Sequence, residues 1–339
     1  MEANTDCPFC DKRVSLKSTV VEKAFKKEFF TINEIYYKCD SCGEEFTTEK
    51  TDEVTVNQVY NQYREKFGLP FPEEFVQLRE KYEISAQKMS QIFGLGINTY
   101  SNYEKGEIPT SANAKLITSA KRSDVFLTYL NQSRELFNSK TLSKLEEKAN
   151  GKGSTKEDES FFCNFNWYSS PNKFTGYMIP NPEKATNLLL YFISNCNPAF
   201  NDKLKLNKLL FYADFLNYKV TGKSISGITY RAISYGPVPT NYDFIFAHFT
   251  EKEEIIEPVF IKANNSSVNE CFKPLKNYDL SVFNEEEVNT LKKVIELFKD
   301  TPSWDMVELS YKERAWIELN KTKSIISYQD YAFDISINE

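Results

Sequence analysis

Four cysteines constrain the fold of this chain more than any other feature. They stand as Cys7-Pro8-Phe9-Cys10 and Cys39-Asp40-Ser41-Cys42, two C-x2-C pairs with 28 residues between them. Each pair is a short turn that aims two sulfurs at one point, and Phe9 and Gly43 suit the tight knuckles. In a reducing compartment disulfides are disfavoured, so four thiolates at this spacing read as one tetrahedral zinc site on Cys7, Cys10, Cys39 and Cys42. With every position filled by protein, the ion is structural and not catalytic. The segment LKSTVVEKAFKKEFFTINEIYYKC alternates apolar and polar residues and predicts two or three strands. A fragment this small buries little core, so the metal supplies most of its folding energy. Cys163, Cys196 and Cys271 are scattered and read as core or surface thiols.

The compartment follows from what the chain lacks. The start MEANTDCPFC has neither the basic nor the apolar region of a signal peptide. No apolar run approaches the roughly 18 residues that span a bilayer. A soluble, cytoplasmic protein with no membrane partner is expected, with room in 339 residues for two or three domains. The single histidine, His248, excludes sites that need two.

The next informative stretch is Ser85–Gly106, SAQKMSQIFGLGINTYSNYEKG. Ser85 can cap a helix on which Met89, Ile92 and Phe93 share one face. Gly94 and Gly96 break that helix with a turn that tolerates positive φ. A second helix is expected from about Ile97 to Lys105, with Ile97, Tyr100 and Tyr103/Glu104 inward. Asn98, Thr99, Ser101, Asn102 and Lys105 then face outward as a short polar recognition helix of a helix-turn-helix. Net charge is −6, so the chain is not globally basic. Between Arg79 and Arg122, however, seven Lys/Arg (79, 81, 88, 105, 115, 121, 122) face four Glu (80, 83, 104, 107). A positive island on an acidic chain suits a local phosphate contact. Helices are also expected at about Asp52–Phe67 as a spacer, from Pro72, from Pro109-Thr110-Ser111, and at about Asp124–Phe137, the set a lambda-repressor-like domain needs.

CPFC, then CDSCGEEF, then LPFPEEFVQLREKYEISAQKMSQIFGLGINTYSNYEKGEIPTSANAKLI together resemble the MqsA-type antitoxins of bacteria over about residues 5–130. That resemblance implies an N-terminal zinc module joined to a helix-turn-helix half that dimerises and represses its own operon. It implies that an Asn and an Arg of the recognition helix read base edges. The Asn position is Asn98, but the Arg position of S-R-Y-E-K-G is Asn102 in SNYEKG. Arg pairs bidentately with guanine and Asn with adenine, so the operator is expected to differ there.

Residues 138–176 turn polar and charged (NSKTLSKLEEKANGKGSTKEDES), a helix end followed by a linker. Beyond it Pro182 opens a helix with Ala185, Leu188, Leu189, Phe192, Ile193 and Cys196 on one side. Leu204–Val220 is apolar nearly all round and belongs at a domain centre. ISGITYRAISYG reads as a strand, GPVPTNYDFIFAHF as a helix after two prolines, EPVFIKA and NECFKPL as a hairpin. Glu285–Phe298 and Trp304–Leu309 read as helices, with Glu285–Glu287 a solvated face. LKLNKLLFYADFL, TGKSI, YRAISYGPVPTNYD and LSYKERAWIEL resemble the SocA-like Panacea domain, the antitoxin part of many bacterial toxin–antitoxin pairs, over about residues 180–335. Two departures stand out: Asn207 where a glutamine often precedes the central lysine, and Tyr311 where a histidine is common. The second favours a binding module over a shared catalytic role. Lys208, Tyr230, Arg231, Tyr235 and Trp316 form a candidate aromatic and cationic partner surface.

The expectation is therefore a multidomain chain, mainly α with an α+β part. It comprises a four-cysteine zinc module (1–50), a linker helix with a helix-turn-helix domain (51–137), a linker (138–176) and a mostly helical α+β Panacea-like domain (177–339). It is expected to act without catalysis as an antitoxin and autorepressor, with one structural Zn2+, a cognate protein toxin, operator DNA and a homodimer through the helix-turn-helix. The rivals are a DNA-binding regulator or proteolysis adaptor with a non-toxin partner, and a hydrolase pairing Cys163, Cys196 or Cys271 with His248.

Overall fold

Strands β1 (Ser15–Phe25) and β2 (Glu28–Lys38) pair antiparallel from Ser15↔Lys38 to Phe25↔Glu28, closed by Lys26 and Lys27, both at positive φ. Two successive left-handed residues give a hairpin turn whose twist matches its strands. The strand β3 (Glu45–Phe46) adds to β2, giving the order β1-β2-β3. In β2 the buried positions switch phase: Phe30 and Ile32 lie on one face, Ile35 and Tyr37 on the other. The base of the hairpin thus turns Tyr37 toward Cys7, Val14 and Cys39. The computed structural model describes residues 5–151, 170–252, 254–262 and 268–337. Cys163 and most of the segment expected as a linker lie outside the described residues.

The chain divides into two compact units. One holds residues 1–59 with 164–339, the other 60–163. Helix α1 (Glu49–Phe67) contributes to both. Its buried stripe is Thr51, Val54, Gln58, Asn61 and Arg64, at helical spacing but mostly polar.

In the first unit the centre is α9 (Lys203–Thr221), as its apolar circumference requires. Around it pack α8 (Pro182–Asn195), α11 (Glu285–Phe298), α12 (Ser303–Ser310) and β5 (Gly236–Pro239). Strand β5 is the edge of a sheet ordered β5-β4-β8, with β4 (Tyr230–Ile233) in the middle and β8 (Ile325–Ile326) opposite. The GPVP run is thus a strand and not the start of a helix. An edge position tolerates Pro237 and Pro239, which have no N–H to give a ladder. The helix α10 (Tyr242–Ala247) follows, then the hairpin of β6 (Ile256–Lys262) and β7 (Val268–Pro274). After α12 come α13 (Arg314–Leu319) and α14 (Tyr328–Tyr331). Asp214 of α9 is fully buried and accepts from the N–H groups of Ile225 and Ser226, each at 2.8 Å, and from Tyr230 Oη at 2.7 Å. These donors satisfy the carboxyl and fasten the loop before β4 onto α9. Glu287, expected in solvent, is buried: it closes a capping box with Asn284 and accepts Lys184 Nζ at 2.6 Å. At Gly236, φ is +91°, and a Cβ would fall on Ser310 Oγ and Lys208 Cε, so no larger residue fits.

Among its described residues the second unit has helices and no strand: the rest of α1, then α2 (Pro72–Lys81), α3 (Ala86–Ile92), α4 (Thr99–Glu104), α5 (Ser111–Ser119), α6 (Ser123–Gln132) and α7 (Ser139–Asn150). One core joins Phe75, Leu78, Tyr82, Met89, Ile92, Phe93, Tyr100, Tyr103, Ile117, Phe126 and Leu130. Tyr82 and Phe126 stack across it. Residues 139–150, expected as the start of a linker, form α7 and add Leu142, Leu145 and Ala149 to this core. Three apolar residues at i, i+3 and i+7 suffice for one buried stripe even in a polar segment.

Candidate functional sites

The four cysteine sulfurs lie within 4.8 Å of one another. Cys7 Sγ is 3.6 Å from Cys42 Sγ, and Cys10 Sγ is 3.5 Å from Cys39 Sγ. A tetrahedron of Zn–S bonds of about 2.3 Å has edges of about 3.8 Å, so the sulfur spacing fits such an ion. Gly43 takes φ +79°, closing the second knuckle by a bond from its N–H to the Cys39 carbonyl at 2.9 Å. Backbone N–H groups of Cys42 and Ser41 aimed at Cys39 hold its thiol down, to about 6. The thiolate that a metal needs is thus favoured at that position. The four-cysteine cluster can hold one metal ion.

In the second unit Ser85 caps α3 as its position suggests, accepting from Lys88 N at 3.3 Å. Gly94 takes φ +64° in the turn. Helix α4 is held inward by Tyr100, whose Oη donates to the Phe75 carbonyl at 2.9 Å and whose N–H donates to Ser90 Oγ at 3.1 Å. Glu104 pairs with Arg79 Nε at 2.5 Å, and Arg64 donates to the Gly106 carbonyl at 2.6 Å. The helix starts at Thr99, two residues later than expected. In consequence Ile97 is not inward: it is 60% exposed. Asn98, Asn102 and Lys105 are exposed at i, i+4 and i+7, one helical face, while Thr99 and Ser101 are half-buried beside them. Asn98 is the N-cap residue, yet its side chain does not cap the helix. Among the described residues neither the Asn98 nor the Asn102 carboxamide has a partner. Structure also thins the positive island: Arg79 pairs with Glu104, Lys121 with Glu74 and Arg122 with Asp124. Lys81, Lys88, Lys105 and Lys115 are left without an acidic partner among the described residues, Lys81 donating instead to the Lys121 carbonyl and Ser123 Oγ.

The candidate partner residues divide between the two faces of the β5-β4-β8 sheet. Tyr230 and Lys208 are fully buried, Tyr230 on Asp214 and Lys208 on the Pro237 carbonyl at 2.8 Å. Burial pushes the Lys208 ammonium down to about 7, and no carboxylate offsets it. Arg231 and Ile233 alternate with buried Tyr230 and Ala232 and so point to the outer face. There Arg231 Nε is out of solvent with no hydrogen-bond partner among the described residues. Trp316 Nε1 donates to the Ile233 carbonyl at 2.7 Å, and Tyr311 Oη donates to the Ser234 carbonyl at 3.1 Å. Their rings lie 4.2 Å apart, so together they pin the β4–β5 turn. At the tip of that turn Tyr235 meets Trp304 edge-on, and each is 52% exposed. Tyr235 and Trp304 are thus exposed together at the tip of the turn, while Trp316 holds its β4 end and Arg231 lies further back along the strand. Sequence reasoning took Trp304 only as a helix start. An exposed tryptophan in the first turn of a short helix was its one signal.

Two of the three remaining thiols are described. Burial pushes Cys196 up to about 11 and also raises Cys271, whose Sγ donates to the Ala199 carbonyl at 3.6 Å. Both are protonated at neutral pH, which is the wrong state for a nucleophile. His248 is half-buried between the rings of Phe244 and Phe249.

Residues 5–129 match the family model described as the MqsA antitoxin component of bacterial toxin–antitoxin systems. Residues 206–317 match the model described as the SocA-like antitoxin Panacea domain. The four-cysteine cluster and α3–α4 fall inside the first match, the β4–β5 turn with Trp304 and Trp316 inside the second. No curated protein matches the chain. Among the described residues no helix is long and apolar enough to cross a membrane.

Proposed function

We propose that this fusion of an MqsA-type segment with a Panacea-type segment is the antitoxin of a bacterial type II toxin–antitoxin pair. It acts in the cytoplasm by stoichiometric binding and not by turnover. The C-terminal half holds a cognate protein toxin, and α3 and α4 bind the operator of its own operon as a homodimer. One structural zinc ion sits on Cys7, Cys10, Cys39 and Cys42.

The observation that carries this reading is the exposed aromatic pair at the tip of the β4–β5 turn. Tyr235 and Trp304 stand exposed there, within a segment that matches an antitoxin family, and in the adjoining strand Arg231 Nε has no hydrogen-bond partner among the described residues. Tyr and Trp are among the residues that dominate protein–protein contacts. The repressor half is supported by Asn98, Asn102 and Lys105 on one helical face, whose side chains have no partner among the described residues. A dimer reads half-sites one turn of the duplex apart, about 34 Å, or a multiple of it.

The test is growth rescue with the full chain. The open reading frame beside this chain's gene is expressed in a naive host, alone or with wild type, a Tyr235→Ala/Trp304→Ala variant or an Asn98→Ala/Asn102→Ala variant. The neighbour alone stops growth; wild type and the asparagine variant restore it, and the aromatic variant does not. A promoter reporter loses repression only with the asparagine variant. A harmless neighbour replaces the antitoxin reading with a regulator or adaptor that has a non-toxin partner.

A further inference from the structure

Ile97 breaks the amphipathic pattern of the segment that holds it. Between Leu95 and Tyr103 the other apolar side chains turn inward: Leu95 packs against the core, and Tyr100 and Tyr103 are buried in it. Ile97 alone is left in solvent, 60% exposed. The reason is local. The glycine turn carries the chain past Ile97 before α4 begins at Thr99, so the side chain never enters a helical face. Its neighbours are the exposed Asn98 and, one turn on, Asn102, whose carboxamides have no partner among the described residues. A branched apolar group thus adjoins one carboxamide that can hydrogen-bond a base edge, with a second one turn further along α4.

We propose that Ile97 packs against the 5-methyl group of a thymine in the major groove, adjoining the base pair that Asn98 reads. This inference rests on the operator-binding reading above. The major groove presents one apolar group, the thymine methyl, and an aliphatic side chain is its natural contact. A phosphate contact is excluded for Ile97 by its chemistry, and its place next to Asn98 at the entry to α4 puts it near the base edge that Asn98 would read. The consequence is a thymine preference that no hydrogen-bonding residue of α4 accounts for.

The experiment uses the full chain. A duplex is selected from a random pool, and each thymine of the selected site is then replaced singly by uracil, which removes only the methyl group. At one thymine per half-site, uracil weakens wild-type binding about fourfold, the factor that one buried methyl group is worth. The same change leaves Ile97→Ala binding unaltered, and Ile97→Val keeps part of the discrimination. Because Ile97 is exposed, the Ile97→Ala variant melts with wild type, which separates a contact effect from misfolding. Identical uracil profiles for wild type and Ile97→Ala overturn the inference while leaving operator binding in place. A uniform loss at all positions accompanied by loss of the dimer overturns it too, by assigning Ile97 to a second copy of the chain. No enriched duplex at all removes the operator-binding reading and this inference with it.

Discussion

Gln329 donates its Nε2 to Oε1 of Gln58 over 3.0 Å, joining residues 271 positions apart in the sequence. Gln58 is already committed to the hairpin: its Oε1 accepts from Asn33 N at 2.9 Å and its Nε2 donates to the Asn33 carbonyl at 2.8 Å. Gln329 in turn accepts from Tyr218 Oη at 2.6 Å. A buried polar chain thus runs from β2 through α1 and α14 to α9. Beside it Asn57 Nδ2 donates to the Thr221 carbonyl at 3.0 Å, and the absence of a side chain at Gly222 lets α1 come close. Replacing Gln58 by Leu strands a backbone N–H, a carbonyl and the Gln329 amide, which costs about 2–4 kcal/mol. Chemical denaturation with a lowered midpoint and an unchanged slope is the expected result; a midpoint equal to wild type would show that the chain of bonds contributes nothing.

Metal removal tests the same connection from the other end. Residues 60–163 contain no tryptophan, Trp304 and Trp316 belong to the unit that also holds the four-cysteine cluster, and the third, Trp167, lies outside the described residues and is replaced by Phe for this measurement. Tryptophan fluorescence therefore leaves the helical unit silent. If the thiolate cluster organises the hairpin and the hairpin is tied to Gln329, a strong chelator lowers the tryptophan-detected melting temperature. The helical circular dichroism of the other unit then keeps a transition at its original temperature. A tryptophan melt indifferent to the chelator would mean that the cysteine module folds apart from the C-terminal half.

Lys208 stores a penalty with a sign that pH can read. Its amine is fully buried with one acceptor, the Pro237 carbonyl, and burial takes it from 10.5 to about 7. The unfolded chain binds this proton more tightly than the folded one, so the destabilisation is absent above about pH 10.5, grows as pH falls and is complete below about pH 7. Its size is about 5 kcal/mol. Lys208→Met removes the charge, keeps the volume and loses one hydrogen bond of about 1 kcal/mol. The variant is more stable than wild type by about 2–4 kcal/mol at pH 6, and the advantage fades toward pH 10. Equal stability at pH 6 would contradict the burial of an uncompensated amine.

What the sequence made legible depended on whether burial followed apolarity. The spacing of Cys7, Cys10, Cys39 and Cys42, the glycine turn after α3 and the apolar circumference of α9 are direct chemical signals, and each corresponds to an observed feature. Helix α1 is the opposite case: Thr51, Gln58, Asn61 and Arg64 are buried through hydrogen bonds, so hydrophobic periodicity reduced it to a spacer. Glu287 hid for the same reason, since its partner Lys184 lies 103 residues away. In α7, three apolar residues among charges were too few to stand out from a linker composition. Of the candidate partner residues, Tyr235 is exposed and Arg231 and Trp316 are half-buried, whereas Lys208 and Tyr230 are core groups. Tyr230 is buried by the alternation of β4 and Lys208 by the all-round packing of α9, and neither is visible from residue type.

Asn102 and Lys105 separate sequence readout from charge. Both are exposed on the Asn98 face of α4, and both are without partners among the described residues. A carboxamide is bidentate to adenine N6 and N7, so the selected operator carries adenine opposite Asn102. Asn102→Arg shifts the preference at that position to guanine and leaves the rest of the site alone. Lys105 has only charge to offer a phosphate. Lys105→Ala therefore weakens all duplexes alike and lowers the slope of log affinity against log salt by about 1. Selection on random duplexes followed by a salt titration reads both effects. Guanine opposite Asn102 in the wild-type selection would sink the readout assignment, and an unchanged salt slope would remove Lys105 from the phosphate contacts.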